Sequence, residues 1–133
     1  VRAFRPDALA TGDPRTLIQP WGRVNHVDHR EAGAATLDVI EAAANAMAFP
    51  WLVRSDELAP HAVSRLYLFW SERADAAVDV GSTLEAKVRA IETHASRRDR
   101  PGSVEEQVRA WARRAGEPAG LEAAETFVLI DLA

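Results

Sequence analysis

Between Arg30 and Met47, apolar and small residues recur at helical intervals: Ala32, Ala35, Leu37, Val39, Ile40, Ala43, Ala44 and Met47. That period predicts one long helix. Alanine favours helix intrinsically, and its small side chain lets another backbone come close. Phe49-Pro50 ends the helix, because proline disfavours helical geometry in the residue before it. Downstream the period shortens to two. Ala62 to Trp70, rich in Val, Leu, Tyr, Phe and Trp, predicts a strand. Thr83 to Thr93 sets Leu84, Ala86, Val88 and Ala90 against Glu85, Lys87 and Arg89 and predicts another. Val104 to Trp111 alternates through Val104, Glu106, Val108 and Ala110, although VEEQVRAWARRA also fits a helical period. Its place between two strand signals favours strand. Ala124 to Leu132 supplies the last strand. Near the start, Arg15 to Trp21 holds a short strand centred on Thr16, Leu17 and Ile18, broken by Gly22.

The predicted order is strand, long helix, then four strands joined by turns at Val80-Gly81-Ser82, 96–103 and 113–120. An apolar helix beside an antiparallel sheet must be buried against it. The expectation is an α+β domain, a curved antiparallel five-stranded sheet wrapped around one central helix. Residues 1–14, with Pro6, Gly12 and Pro14, read as a lead-in arm, and 15–133 as a single domain. Open sheet edges tend to be paired or covered, which predicts a homodimer or homotetramer.

Composition narrows the function classes. The chain has 133 residues, 47% hydrophobic and 27% charged, which suits one globular domain and excludes wholesale disorder. A formal charge of −4 gives no general attraction to nucleic acid or an anionic membrane. No apolar run approaches the roughly 18 residues a membrane span needs. Val1 to Pro14 lacks an apolar core of a secretory leader, though a removed leader would leave no trace. The expected location is the cytoplasm. With no cysteine there is no disulfide, thiolate nucleophile or zinc ribbon, while sites of His, Asp and Glu stay possible.

Two segments carry a family resemblance. Gly22-Arg23-Val24-Asn25-His26-Val27-Asp28-His29 resembles the segment that opens the central helix of hot-dog fold thioesterases of the 4-hydroxybenzoyl-CoA type. Gly22, Val24 and Asn25 match, while Arg23, His26 and His29 replace the usual His, Asn and Tyr. Val78-Asp79-Val80-Gly81-Ser82-Thr83-Leu84 resembles the family's turn between its second and third strands. The resemblance implies hydrolysis of an acyl-CoA or acyl-carrier-protein thioester, with backbone amides near Asn25 and His26 as oxyanion donors. It implies no cofactor, CoA or phosphopantetheine entering only as part of the substrate. The family's catalytic acid falls at Gln19 in one branch and near Ala34 in another, and neither is acidic here. Gln19 and Asn25 would then orient water and carbonyl. His26 or a carboxylate, with Asp28 ahead of Glu31, Asp38 and Glu41, would act as base. Arg23 and the cluster Arg97, Arg98 and Arg100 suit the phosphates of the thiol carrier.

Other readings stand beside this one. Asn25, Asp28 and Glu31 each suit a helix start for capping and dipole reasons alone. His26-Val27-Asp28 followed by Ala32 faintly resembles the motif of MaoC-like enoyl-thioester hydratases, but Trp21 and Arg23 stand where their upstream residues belong. The same scaffold could also serve as a non-catalytic acyl-thioester binding protein. His26, Asp28 and His29 invite a metal reading if His61 or His94 completes the set; the reading adopted assigns no metal.

Overall fold

The structure, a computed structural model, describes residues 1–55, 58–94 and 104–132. Its elements run β1 (Ala8–Gly12), α1 (Val27–Ala44), α2 (Pro50–Ser55), β2 (Arg65–Phe69), β3 (Ala76–Asp79), α3 (Leu84–Glu92), α4 (Val104–Gly116) and β4 (Ala124–Asp131). Short 3-10 turns at Gly81–Thr83 and Glu117–Ala119 lead into α3 and out of α4. The described strands form one four-stranded mixed sheet in the order β1-β2-β4-β3. This corrects the expectation of a five-stranded antiparallel sheet around a central helix. No helix among the described residues is long and apolar enough to cross a membrane.

The chain divides into two compact units. The first is Val1–Asp75 with Phe127–Ala133, and the second is Ala76–Thr126. In the first, β1 and β2 run parallel with Ala8 opposite Arg65 and Gly12 opposite Phe69. Parallel neighbours need a crossover connection, and α1 with α2 supplies it. The second part of β4 pairs antiparallel with β2, Phe69 opposite Phe127 and Arg65 opposite Asp131. Leu66 and Leu68 point to the buried face of β2, while Tyr67 meets Phe127 edge-on, ring centres 5.6 Å apart, on the other. The stretch read as a lead-in arm thus carries a sheet strand.

The predicted long helix exists, but it is not a wrapped core. Of its residues only Gly33 and Ala43 are buried. Gly33 sits where a Cβ would lie 2.4 Å from the carbonyl oxygen of Gly12, so α1 rests directly on the end of β1. At its other end Arg2, buried itself, donates to the carbonyls of Ala42, Ala43, Asn45 and Ala48. Ala42, Ala43 and Asn45 belong to the helix C-terminus with its orphan acceptors, Ala48 to the turn beyond, and a cation there also suits the dipole.

In the second unit, two predicted strands are helices. Leu84 and Val88 of α3 pack with Val108 and Ala112 of α4 and with Ala123. The buried residues stand four apart on each element, a helical stripe. Arg109 of α4 bridges Glu85 of α3 and Glu105 one turn back. Thr16 to Ile18, also predicted as a strand, forms no more than an isolated bridge, Ile18 to Val24.

Candidate functional site

Parallel strands deliver their loops to the same end of a sheet, and in open α/β sheets that carboxyl end is where ligands bind. Here β1 ends at Gly12 and β2 at Phe69, and the next residues, Asp13 and Trp70, open the two loops of this end. Asp13 is 2% exposed. Its Oδ1 accepts from the backbone N–H and the Nε of Arg15, and its Oδ2 from Arg15 Nη2 and the Ser71 hydroxyl at 2.7 Å. Burial pushes the Asp13 carboxyl up, but those hydrogen bonds and the Arg15 charge outweigh it, leaving the pKa below the ordinary 3.8. Ser71 also receives the backbone N–H of Arg73, so the carboxylate ties the two loops together. A cavity of about 430 Å³ lies beside it, lined by Asp13, Arg15, Leu17, Ile18, Ser71 and Arg73 among others.

From Leu17 the chain makes a tight loop back to α1. Gln19 N–H donates to the Arg23 carbonyl and Asn25 N–H to that of Leu17, with Gly22 turning the chain at φ 79°. Gln19 and Asn25 are buried and bonded to each other, Gln19 Nε2 to Asn25 Oδ1 at 3.2 Å. Asn25 Nδ2 donates onward to the Thr16 carbonyl, and Arg30 holds the Asn25 carbonyl at 2.6 Å. This network fixes the chain just before the helix. His26 is the N-cap of α1, its Nδ1 accepting the Asp28 N–H at 3.2 Å. The Asp28 carboxylate lies 3.3 Å from the same nitrogen. An acceptor at Nδ1 means that the neutral ring carries its proton on Nε2. His29 stands with its ring 5.8 Å from that of His26 and 4.8 Å from Trp70.

The structure therefore gathers Gln19, Asn25, His26 and Asp28 in one segment. Gln19 and Asn25 use their amides on each other and on the backbone. The His26 and Asp28 side chains are exposed. Arg23 is exposed in the turn. Glu31, Asp38 and Glu41 lie along the exposed flank of α1. The amides proposed as oxyanion donors are partly engaged: Asp28 N–H goes to the His26 ring, and those of His29 and Arg30 to the His26 carbonyl. His61 is held elsewhere, its Nε2 2.8 Å from the Pro6 carbonyl oxygen. Among the described residues no group of three or more His, Asp or Glu side chains is arranged around a common metal position. Arg97, Arg98 and Arg100 lie outside the described residues.

Asp13, Ser71 and Trp70 were not legible as site residues. Asp13 follows a short Ala-Leu-Ala-Thr-Gly run whose weak strand character hid β1. A signal was there in principle: a short apolar run ending Gly-Asp, followed by a helix with one histidine at its N-cap and another in its first turn.

No known family profile matches the chain. Its sequence is 28% identical over 99 residues to the diacetylchitobiose deacetylase of Thermococcus kodakarensis, covering 72% of this chain and 34% of that protein. Its structure superposes on N,N′-diacetylchitobiose deacetylase from Pyrococcus horikoshii, bound to an inhibitor, with a TM-score of 0.79 over 98% of this chain and 24% identity. The fold is the deacetylase's. A conserved protein of Thermus thermophilus has it too, with TM-score 0.72 over 96% of this chain at 20% identity. The chain spans 48% and 52% of those two structures.

These likenesses overturn the hot-dog assignment and what hung on it. Thioester hydrolysis, the enoyl hydratase alternative, the acyl-thioester binding role, and acyl-CoA or acyl carrier protein as partners all rested on that resemblance. Its two quoted segments fold differently here. Gly22–His29 does lead into a helix, but one lying on the end of a parallel strand; Val78–Leu84 runs from β3 into α3 instead of between antiparallel strands.

Proposed function

We propose that this chain contributes the His26–Asp28 part of a hydrolase site that removes acetyl groups from N-acetylated amino sugars. The observation that carries the reading is the sequence likeness to diacetylchitobiose deacetylase across 72% of the chain. It is supported by two polar side chains suited to amide hydrolysis at the carboxyl end of the parallel strands. Amide hydrolysis adds water to the acetyl carbon, then breaks the C–N bond, releasing acetate and a free amine. The carbonyl oxygen gains negative charge, and the departing nitrogen needs a proton. His26 has Nε2–H available in its neutral tautomer, because Nδ1 is occupied by the Asp28 amide. That proton donates to the carbonyl oxygen as it becomes an oxyanion. The exposed Asp28 carboxylate beside that ring takes the proton that the attacking water gives up and returns it to the departing nitrogen as the C–N bond breaks. Gln19, Asn25 and Arg30 hold the backbone from which His26 projects.

The test is release of free amine and acetate from N,N′-diacetylchitobiose and N-acetylglucosamine, with and without added divalent cations. Turnover that falls by about 100-fold or more in His26→Ala, as loss of an acid or oxyanion donor does, supports the reading. Absence of both turnover and saturable binding of either sugar in the wild-type protein overturns it.

A further inference from the structure

The cavity beside Asp13 takes no part in the chemistry proposed for His26 and Asp28. Its walls come from the two loops at the carboxyl end of β1 and β2: Arg15, Leu17 and Ile18 belong to the first, Ser71, Glu72 and Arg73 to the second. At about 430 Å³ it falls within the range of small-ligand sites. It is also joined to the candidate site. Asn25 N–H donates to the Leu17 carbonyl at 2.8 Å and Ile18 bridges Val24, so this wall runs alongside the segment that leads to His26.

The chemistry of the walls decides what would fit. The Arg15 guanidinium is held through Nε and Nη2 on the buried Asp13, which leaves Nη1 as a fixed donor without a partner among the described residues. A donor held in place beforehand removes the ordering cost that a loose arginine would bring to binding. The Ser71 hydroxyl, bonded to Asp13, takes the Arg73 N–H and fixes the start of the second loop. The Glu72 and Arg73 side chains are exposed and, among the described residues, bonded to nothing. The formal charges of Asp13, Arg15, Glu72 and Arg73 cancel, which gives an anion no net attraction. Leu17 and Ile18, 63% and 47% exposed, add an apolar surface. Donors, an acceptor and an apolar surface around a site without net charge match a sugar ring, whose hydroxyls line its rim and whose C–H groups form its faces.

We propose that this cavity binds the second sugar of the substrate, a neutral ring linked to the N-acetylated one. Arg15 Nη1, Glu72 and Arg73 take its hydroxyls, and Leu17 with Ile18 covers a C–H face. The assignment rests on the deacetylase reading for the sugar at His26. The preference for a neutral ring is a statement about the cavity itself.

Binding is measured by calorimetry and by nuclear magnetic resonance of the Leu17 and Ile18 methyls and the Arg15 side-chain N–H. The probes are N,N′-diacetylchitobiose, N-acetylglucosamine, N-acetylglucosamine 1-phosphate and cellobiose, a neutral disaccharide without acetyl groups. The three sets of signals are expected to move saturably with both disaccharides. The Kd of N,N′-diacetylchitobiose should lie about tenfold or more below that of N-acetylglucosamine, as charge-assisted hydrogen bonds supply. That advantage should shrink to within about twofold in the double variant Glu72→Ala, Arg73→Ala, which leaves the net charge unchanged; Arg73→Gln takes its place should the double variant not fold. A disaccharide that binds no tighter than the monosaccharide overturns the assignment. So does an advantage that survives in the variant, or tighter binding of the 1-phosphate than of N,N′-diacetylchitobiose. Cavity signals that move with cellobiose in a protein that deacetylates neither sugar sink the deacetylase reading and leave the neutral-ring site standing. Turnover of the disaccharide with those signals in place does the reverse.

Discussion

Asp13 carries four hydrogen bonds on two oxygens, three from Arg15 and one from Ser71, at a position closed to solvent. A buried carboxylate persists when its acceptors are filled, and breaking such a set leaves a charge or a donor without a partner. Because the folded pKa lies below the ordinary 3.8, ionised Asp13 stabilises the fold. That contribution is complete above the unfolded carboxyl's pKa and is lost as pH falls below it through the lowered folded value. Denaturant unfolding of wild type and Asp13→Asn across pH should therefore show a gap of about 2 kcal/mol at neutral pH. The gap should narrow as pH drops below 4; a gap independent of pH would mean that the charge contributes nothing. At this scale the sequence was partly readable. His26 and Asp28 stood out because titratable residues at a helix start are chemically conspicuous. Asp13 did not, since its place comes from a contact 58 residues away in the chain, with Ser71.

At the level of elements, one ambiguity explains the failed strands. Counting Ala86 and Ala90 as apolar turned a four-residue period into a two-residue one, whereas both are exposed and Leu84 and Val88 alone face inward. The same holds for Ala110 between Val108 and Ala112. Alanine is apolar in a pattern but indifferent to burial, so it blurs the period on which the distinction depends. The α1 helix escaped because it is long. Its seating, by contrast, depends on a single glycine. Replacing a mid-helix glycine by alanine ordinarily stabilises by about 1 kcal/mol. At Gly33 the new methyl would meet a backbone oxygen at 2.4 Å, and that backbone belongs to the end of β1. Overpacking against backbone costs about 1–3 kcal/mol, so Gly33→Ala should destabilise, with a lower denaturation midpoint. A midpoint at or above wild type would show that α1 can lift off β1 without cost.

Taken whole, the molecule is a mixed sheet with helices, in two compact units, and its fold resembles that of a solved deacetylase and of a conserved protein over nearly its full length. It spans about half the length of those structures and about a third of the curated relative. Supplied with equal amounts of an acetyl thioester and an N-acetylated amino sugar, the protein should release amine, with thiol at background. Thiol release in excess of amine would contradict the proposed deacetylation. The long helix, β2, β4 and the polar segment from Gln19 to Asp28 were legible in the chain itself, because period, branching and capping are local properties. The partner of each strand was not. Ala8–Gly12 becomes a strand by pairing parallel to residues 57 positions later, and that pairing has no local signature. Parallel against antiparallel order separated this fold from the hot-dog fold. It is a property of long-range backbone hydrogen bonding, which a one-dimensional pattern of apolar residues does not encode.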